Sequence, residues 1–277
     1  MRTSLVFLAL ASVGLAVSGC RMPDDLSAWA PEEAAPARPR EAASNRLAAG
    51  ASSPRPPHRV LSFDTAKRHL RDEVYADHRT EAYCGCPYDA RGEIDRAACG
   101  YVPRGHSRRT RRIEWEHQVP AARFGQGLPC WRGCPGGDRG RTCCAHGPDH
   151  GGDARFREML GDMHNLVPAV GELNEDRSDR PYGEVRGEVR AYGACDFEVE
   201  HGVPDGATEP PGAVRGDVAR AWLYMADQYP DRLPLTADER RMFERWSEAD
   251  PVDAWERERD ARIARIQGNH NPFVAGR

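Results

Sequence analysis

Apolar and polar positions alternate most regularly in one short stretch. Ile113, Trp115, His117 and Val119 alternate with Glu114, Glu116 and Gln118, a period of two that predicts a half-buried strand. Pro120 cannot donate to a sheet ladder and predicts an ending there. Helical spacing governs most of the rest. Ala66, Leu70 and Val74 predict an amphipathic helix with Asp64 as its N-cap, and Phe156, Met159, Leu160 and Met163 predict another. Val214, Val218, Trp222 and Met225 mark a helix stopped by Pro230. Thr236 and Glu239 form a capping box ahead of a helix that buries Phe243 and Trp246. The last helix is expected from Val252 toward Gln267, with Trp255, Ile263 and Ile266 inward and Gly268 as its stop.

Three stretches carry no such period. Tyr83 to Gly105 is rich in cysteine, glycine and proline, which predicts loops held by disulfides. Residues 125–153 read as one long loop, and 171–178 as a polar, turn-rich segment.

The amino terminus reads as an export signal. Arg2 precedes an apolar run from Leu5 to Val17, too short to span a bilayer, and Val17-Ser18-Gly19-Cys20 resembles a lipobox, implying cleavage before Cys20 and lipid on its thiol. A plain secretory signal is the alternative. Residues 21–56 carry prolines among alanine, serine and arginine and few large apolar side chains, so they are expected to form a tether. Residues 57–277 then form one domain. Beyond Cys20 there are eight cysteines, and an even number behind an export signal favours disulfides over a metal cage, with the connectivity open.

Net charge is −4, which argues against a strongly basic nucleic-acid binder. The arginines are nevertheless clustered: Arg104, Arg108, Arg109, Arg111 and Arg112 lead into Glu116-His117, and Arg132, Arg139 and Arg141 follow. A run of this kind is ordinarily a solvated face, and its place beside a carboxylate and an imidazole is what singles it out. A neutral imidazole can take a proton from water near pH 7, and a carboxylate suits a hard divalent cation. On a regular strand Glu116 and His117 face apart, so one shared centre requires the strand to end or distort at Glu116. Asn165, in Asp162-Met163-His164-Asn165, offers an amide oxygen of the kind that Mg²⁺ or Ca²⁺ accepts.

Taken together, several ordered blocks resemble the bacterial endonuclease I family. They are Trp115-Glu116-His117-Gln118-Val119-Pro120-Ala121 with Phe124-Gly125, Cys130-Trp131, Asp162 to Ala169, Gly171 to Ser178, Trp255 to Asp260, and Gln267 to Pro272. The resemblance runs from Tyr83 to Val274. It implies an α+β, mainly helical, disulfide-stabilised fold carrying a ββα-metal (His-Me finger) active site. By position it implies His117 as general base and Glu116 and Asn165 as holders of one divalent ion, Mg²⁺ with Mn²⁺ or Ca²⁺ as alternatives. It also implies a phosphate-binding arginine. The segment around it is longer here than in the family, which leaves Arg141 or Arg139, and the spacing to Cys144 favours Arg141.

The expected activity is non-specific hydrolysis of DNA, with RNA as a further substrate, through contacts to phosphates. The chain is expected to act as a monomer in the periplasm or at the cell surface, anchored through Cys20, or else secreted. Two other readings remain: a non-catalytic DNA-binding or structural envelope lipoprotein, which needs no Glu116-His117-Asn165 set, and a metal phosphoesterase acting on small nucleotides.

Overall fold

The computed structural model describes residues 58–134, 140–146, 151–187 and 190–276. The signal segment, the lipobox with Cys20, the tether and Arg139 lie outside the described residues.

Helix α1 (Phe63–His69) opens the domain, and a single π-type turn, Leu70–Val74, extends it. Its N-cap is Ser62, whose hydroxyl accepts from the Thr65 N–H at 3.2 Å; Asp64, the expected cap, lies inside the first turn and pairs with Lys67. After α2 (Arg96–Cys99) comes strand β1 (Ile113–His117). Then follow α3 (Ala121–Gly125), α4 (Pro129–Arg132), α5 (Gly140–Ala145) and α6 (Ala154–Leu160). Strand β2 (Leu166–Val170) pairs antiparallel with β1, Glu116 opposite Val167 and His117 opposite Leu166. Helix α7 (Gly171–Arg177) leaves β2 directly. A small ribbon of β3 (Glu198–Val199) and β4 (Thr208–Glu209) precedes α8 (Arg215–Gln228), α9 (Ala237–Ala249), α10 (Ala254–Gln267) and α11 (Pro272–Ala275). The fold class is α+β and mainly helical. Among the described residues no helix is long and apolar enough to cross a membrane.

The carboxy-terminal helices follow their apolar periods. Thr236 and Glu239 close the capping box of α9, and α10 stops at Gly268, whose φ of 95° only glycine adopts freely. Trp222 of α8 stacks on Phe243 of α9 with ring centroids 5.0 Å apart, in a core shared with Val119, Phe124, Phe156, Leu173 and Met225. Each such buried side chain contributes roughly 1.5–3 kcal/mol. A second cluster, with Ala66, Leu70, Met163, Leu166 and Ile263, seats α1 and α10 against β2.

Two aperiodic stretches are more ordered than their sequences predict. The long loop expected over 125–153 contains α4 and α5, joined by Cys130–Cys144 and Cys134–Cys143. Trp131 lies between Gly125 and Gly140, where a Cβ at either position would come within 2.4 Å of its ring. Short helices clipped by disulfides need no apolar stripe, which is why no period announced them. The segment read as turns over 171–178 is helix α7, because its polar side chains have fixed partners instead of solvent. Cys84–Cys195 and Cys86–Cys99 complete the pairing of all eight cysteines, so the competing metal-cage reading falls.

Candidate active site

Strand β1 ends on the two residues of interest. It runs without interruption through Glu116 to His117, so the distortion expected at Glu116 is absent and the two side chains leave opposite faces. Glu116 shares its face with Asn165: the Gln118 N–H donates to the Asn165 carbonyl at 3.0 Å, which extends the β1–β2 register by one rung and sets Asn165 diagonal to Glu116. The Asn165 amide then acts as a further rung, with Oδ1 accepting from the Val119 N–H at 2.7 Å and Nδ2 donating to the Val119 carbonyl at 3.0 Å. Both residues are buried.

His117 faces α1 and α6. Its Nε2 lies 2.9 Å from the Leu160 carbonyl, which can only accept, so the proton sits on Nε2 and Nδ1 carries the lone pair. Burial, reinforced by the positive charge of Arg141, lowers its pKa to about 3, and the ring is neutral near pH 7. Phe63 joins this residue to α5: its ring lies 4.9 Å from the His117 ring, and the Arg141 guanidinium lies 4.9 Å from the Phe63 centroid. Arg141, itself exposed, is linked to the imidazole through that shared aromatic neighbour.

Glu116 is held from α7. Arg177, almost fully buried, donates from Nη1 to Glu116 Oε1 at 3.0 Å. Burial nevertheless pushes the Glu116 carboxyl up to about 7, against the pull of that guanidinium. A carboxylate and a carboxamide on one face are hard oxygen donors. The buried carboxylate also gains from added positive charge, so the pair fits a hard divalent cation.

Beside Phe63 and Arg141 lies a groove of about 800 Å³, lined also by Lys67, Arg109, Glu114, Trp115, Asn174 and Asp179, while Glu116, His117 and Asn165 stay behind its wall. The structure therefore brings Glu116 and Asn165 to one face and His117 and Arg141 around Phe63. The arginine run divides: Arg109 is neutralised by Glu114 and Glu175, and Arg104 by Asp176, whereas Arg108 and Arg111 are exposed.

Sequence reasoning passed over Arg177 and Phe63. Arg177 stands one helical turn after Leu173, and that spacing was its available signal, masked by six polar or glycine neighbours in the same block. Its helix also explains the rest of that block. Glu172 accepts from the Arg104 and Gly105 N–H groups at 3.1 and 2.7 Å, Asn174 donates to Glu114 at 2.9 Å, and Asp176 takes Arg104 and Tyr192.

A groove walled in part by Lys67 and Arg141 lies beside a strand end that carries a buried carboxylate and a neutral imidazole, residue types with which a phosphoester can be hydrolysed. Comparison with known proteins narrows the class. The endonuclease I family model matches residues 62–276. An extracellular deoxyribonuclease of Aeromonas hydrophila is 42% identical over 79% of this chain and 91% of its own length. A periplasmic deoxyribonuclease of the same organism is 41% identical over 80% and 89%. The endonuclease-1 of Buchnera aphidicola subsp. Acyrthosiphon pisum is 38% identical over 69% and 72%. The chain belongs to the endonuclease I family, and it is an endonuclease.

Proposed function

We propose that the protein is an exported, divalent-metal-dependent endonuclease that hydrolyses phosphodiester bonds of DNA without base specificity, with His117 as general base. The observation that carries this reading is the His117 tautomer, since Nε2 is committed to the Leu160 carbonyl and Nδ1 is left as a neutral acceptor beside Arg141. The names of the Aeromonas relatives, an extracellular and a periplasmic deoxyribonuclease, support both substrate and export. The lipobox at Cys20 and the tether over 21–56 extend it to an envelope-anchored enzyme.

In this mechanism Nδ1 of His117 takes a proton from the water that attacks phosphorus, a step worth typically about 10²–10⁴-fold. The Leu160 carbonyl keeps the ring in the required tautomer. The Arg141 guanidinium binds a non-bridging oxygen and opposes the charge that builds on it. Glu116 and Asn165 would hold the cation, Mg²⁺ or a similar ion, which would supply charge neutralisation to the phosphoryl group. Recognition through phosphates makes base identity immaterial, because no base-reading helix motif is present in the sequence.

Plasmid degradation tests the assignment. Glu116→Ala and His117→Ala are each expected to lose at least about 10²-fold in rate with unchanged circular dichroism, and chelator is expected to stop the parent enzyme. Normal degradation by folded His117→Ala would overturn the base, and chelator resistance would overturn the metal. Equal rates on plasmid and on mononucleotides would favour the small-nucleotide phosphoesterase instead.

A further inference from the structure

We propose that Arg177 is a positioning residue that sets Glu116 and the end of β1 into the single arrangement the site uses. The inference rests on the reading of Glu116 as a cation ligand. Arg177 Nη1 donates to Glu116 Oε1 at 3.0 Å and to the His117 carbonyl at 2.8 Å, and Nη2 donates to the Gln118 carbonyl at 2.5 Å. One planar guanidinium thus engages three consecutive residues, the first by its side chain and the next two by their peptide planes.

Glu116 and His117 leave opposite faces of a regular strand, and the two peptide planes that follow His117 connect Glu116 to Asn165, since the Gln118–Val119 peptide presents the N–H that Asn165 Oδ1 accepts. Arg177 fixes those planes from one side. Trp222 Nε1, donating to the Gln118 carbonyl at 3.0 Å, and the Asn165 amide on Val119 complete the restraint. The Glu116 carboxylate is held by one oxygen, and the described residues give Oε2 no hydrogen bond.

Two features separate placement from simple stabilisation. The Arg177 guanidinium lies over the Tyr182 ring at 4.6 Å, and the Tyr182 hydroxyl is 2.6 Å from that of Tyr83, so the pair is sealed by aromatic rings. Its Nε–H is buried and has no partner among the described residues. A buried cation with a donor unmet is an inefficient way to gain stability, compared with apolar side chains of the same volume. A planar fork that reaches three oxygens is, in contrast, an efficient way to fix them, and a lysine ammonium cannot reproduce it.

The test uses the disulfide-intact full chain, with Mn²⁺ binding read by calorimetry and melting read by circular dichroism. Arg177→Lys is expected to fold and to bind Mn²⁺ about 10- to 100-fold more weakly, the usual cost of losing a residue that orients a metal ligand. Its kcat on plasmid is expected to fall in proportion while KM stays near the parent value, because Arg141 is untouched. Folded Arg177→Lys with parental Mn²⁺ affinity would overturn the positioning role. Glu116→Ala runs beside it: loss of Mn²⁺ there with retention in Arg177→Lys overturns this inference alone, whereas parental binding in Glu116→Ala overturns the ligand assignment as well. Should Arg177→Met fail to fold, Glu116→Gln/Arg177→Met is expected to recover the fold without Mn²⁺ binding. A double variant as unstable as the single one would overturn the pairing.

Discussion

Phe63 is the ring at which two distant residues meet. His117 at the end of β1 and Arg141 on α5 each contact its ring, 4.9 Å away in both cases, and the charge of Arg141 helps keep the imidazole neutral. Arg141 is exposed and its α5 neighbours are held by disulfides, so replacing it disturbs little else. Arg141→Ala is expected to change stability by less than about 0.5 kcal/mol and to lower kcat roughly 10²–10³-fold, the effect of removing one oxyanion donor. Steady-state kinetics beside a thermal melt checks both halves; a stable variant with full kcat would remove Arg141 from the mechanism. At this scale Glu116, His117 and Asn165 were legible because their chemistry is visible in the residue types themselves. Phe63 was not, since an aromatic at the start of an amphipathic helix reads as scaffold.

Helix α5 shows what disulfides do for an element too short to stand alone. Isolated helices of this length are marginal in water, and α5 (Gly140–Ala145) exists because Cys143 and Cys144 tie it to Cys134 and Cys130. Cys134–Cys143 closes a separation of 9 residues and Cys84–Cys195 one of 111. Loop entropy assigns these about 3 and 5 kcal/mol. Cys134→Ser/Cys143→Ser is therefore expected to remain folded at 25 °C, with its melting temperature lowered, and to lower kcat on plasmid as Arg141→Ala does. Parental kcat in the folded double variant would show that the clip does not place Arg141. The cysteines announced disulfides from their number and export context, whereas the pairing, and the helices it creates, depend on distances that no spacing contains.

The carboxy terminus makes the site a property of the whole domain. Asp162, at the head of the turn that delivers Asn165, accepts from the Tyr224 and Tyr229 hydroxyls at 2.7 and 2.8 Å and from Gln267 Nε2 at 2.9 Å. Gln267 Oε1 in turn accepts from the Met163 N–H at 2.8 Å, and the Asn269 carbonyl receives His164 Nε2 at 3.0 Å. The block from Gln267 to Pro272, about a hundred residues beyond Asn165 in the chain, is thus a polar clamp on the turn that carries Asn165. Gln267→Ala leaves a buried N–H and part of a carboxylate unmet, which costs about 1–3 kcal/mol. Denaturant unfolding is expected to show that loss together with weaker Mn²⁺ binding; an unchanged midpoint would mean the clamp contributes nothing.

What the sequence determined by itself is the set of elements with a strong period and the residues with distinctive chemistry. The alternation over 113–119, the helices α8 to α10 and the Glu116-His117-Asn165 set all follow from local pattern or from ordered family blocks. Tertiary structure alone decided that β1 stays regular through His117, that α7 is a helix, that Arg177 bonds Glu116, and that Phe63 lies between His117 and Arg141. The physical reason is distance along the chain. A buried polar side chain is stable only where its partners are, and Arg177 finds its carbonyl acceptor on His117 60 residues away, while the Phe63 ring meets the His117 ring across 54 residues.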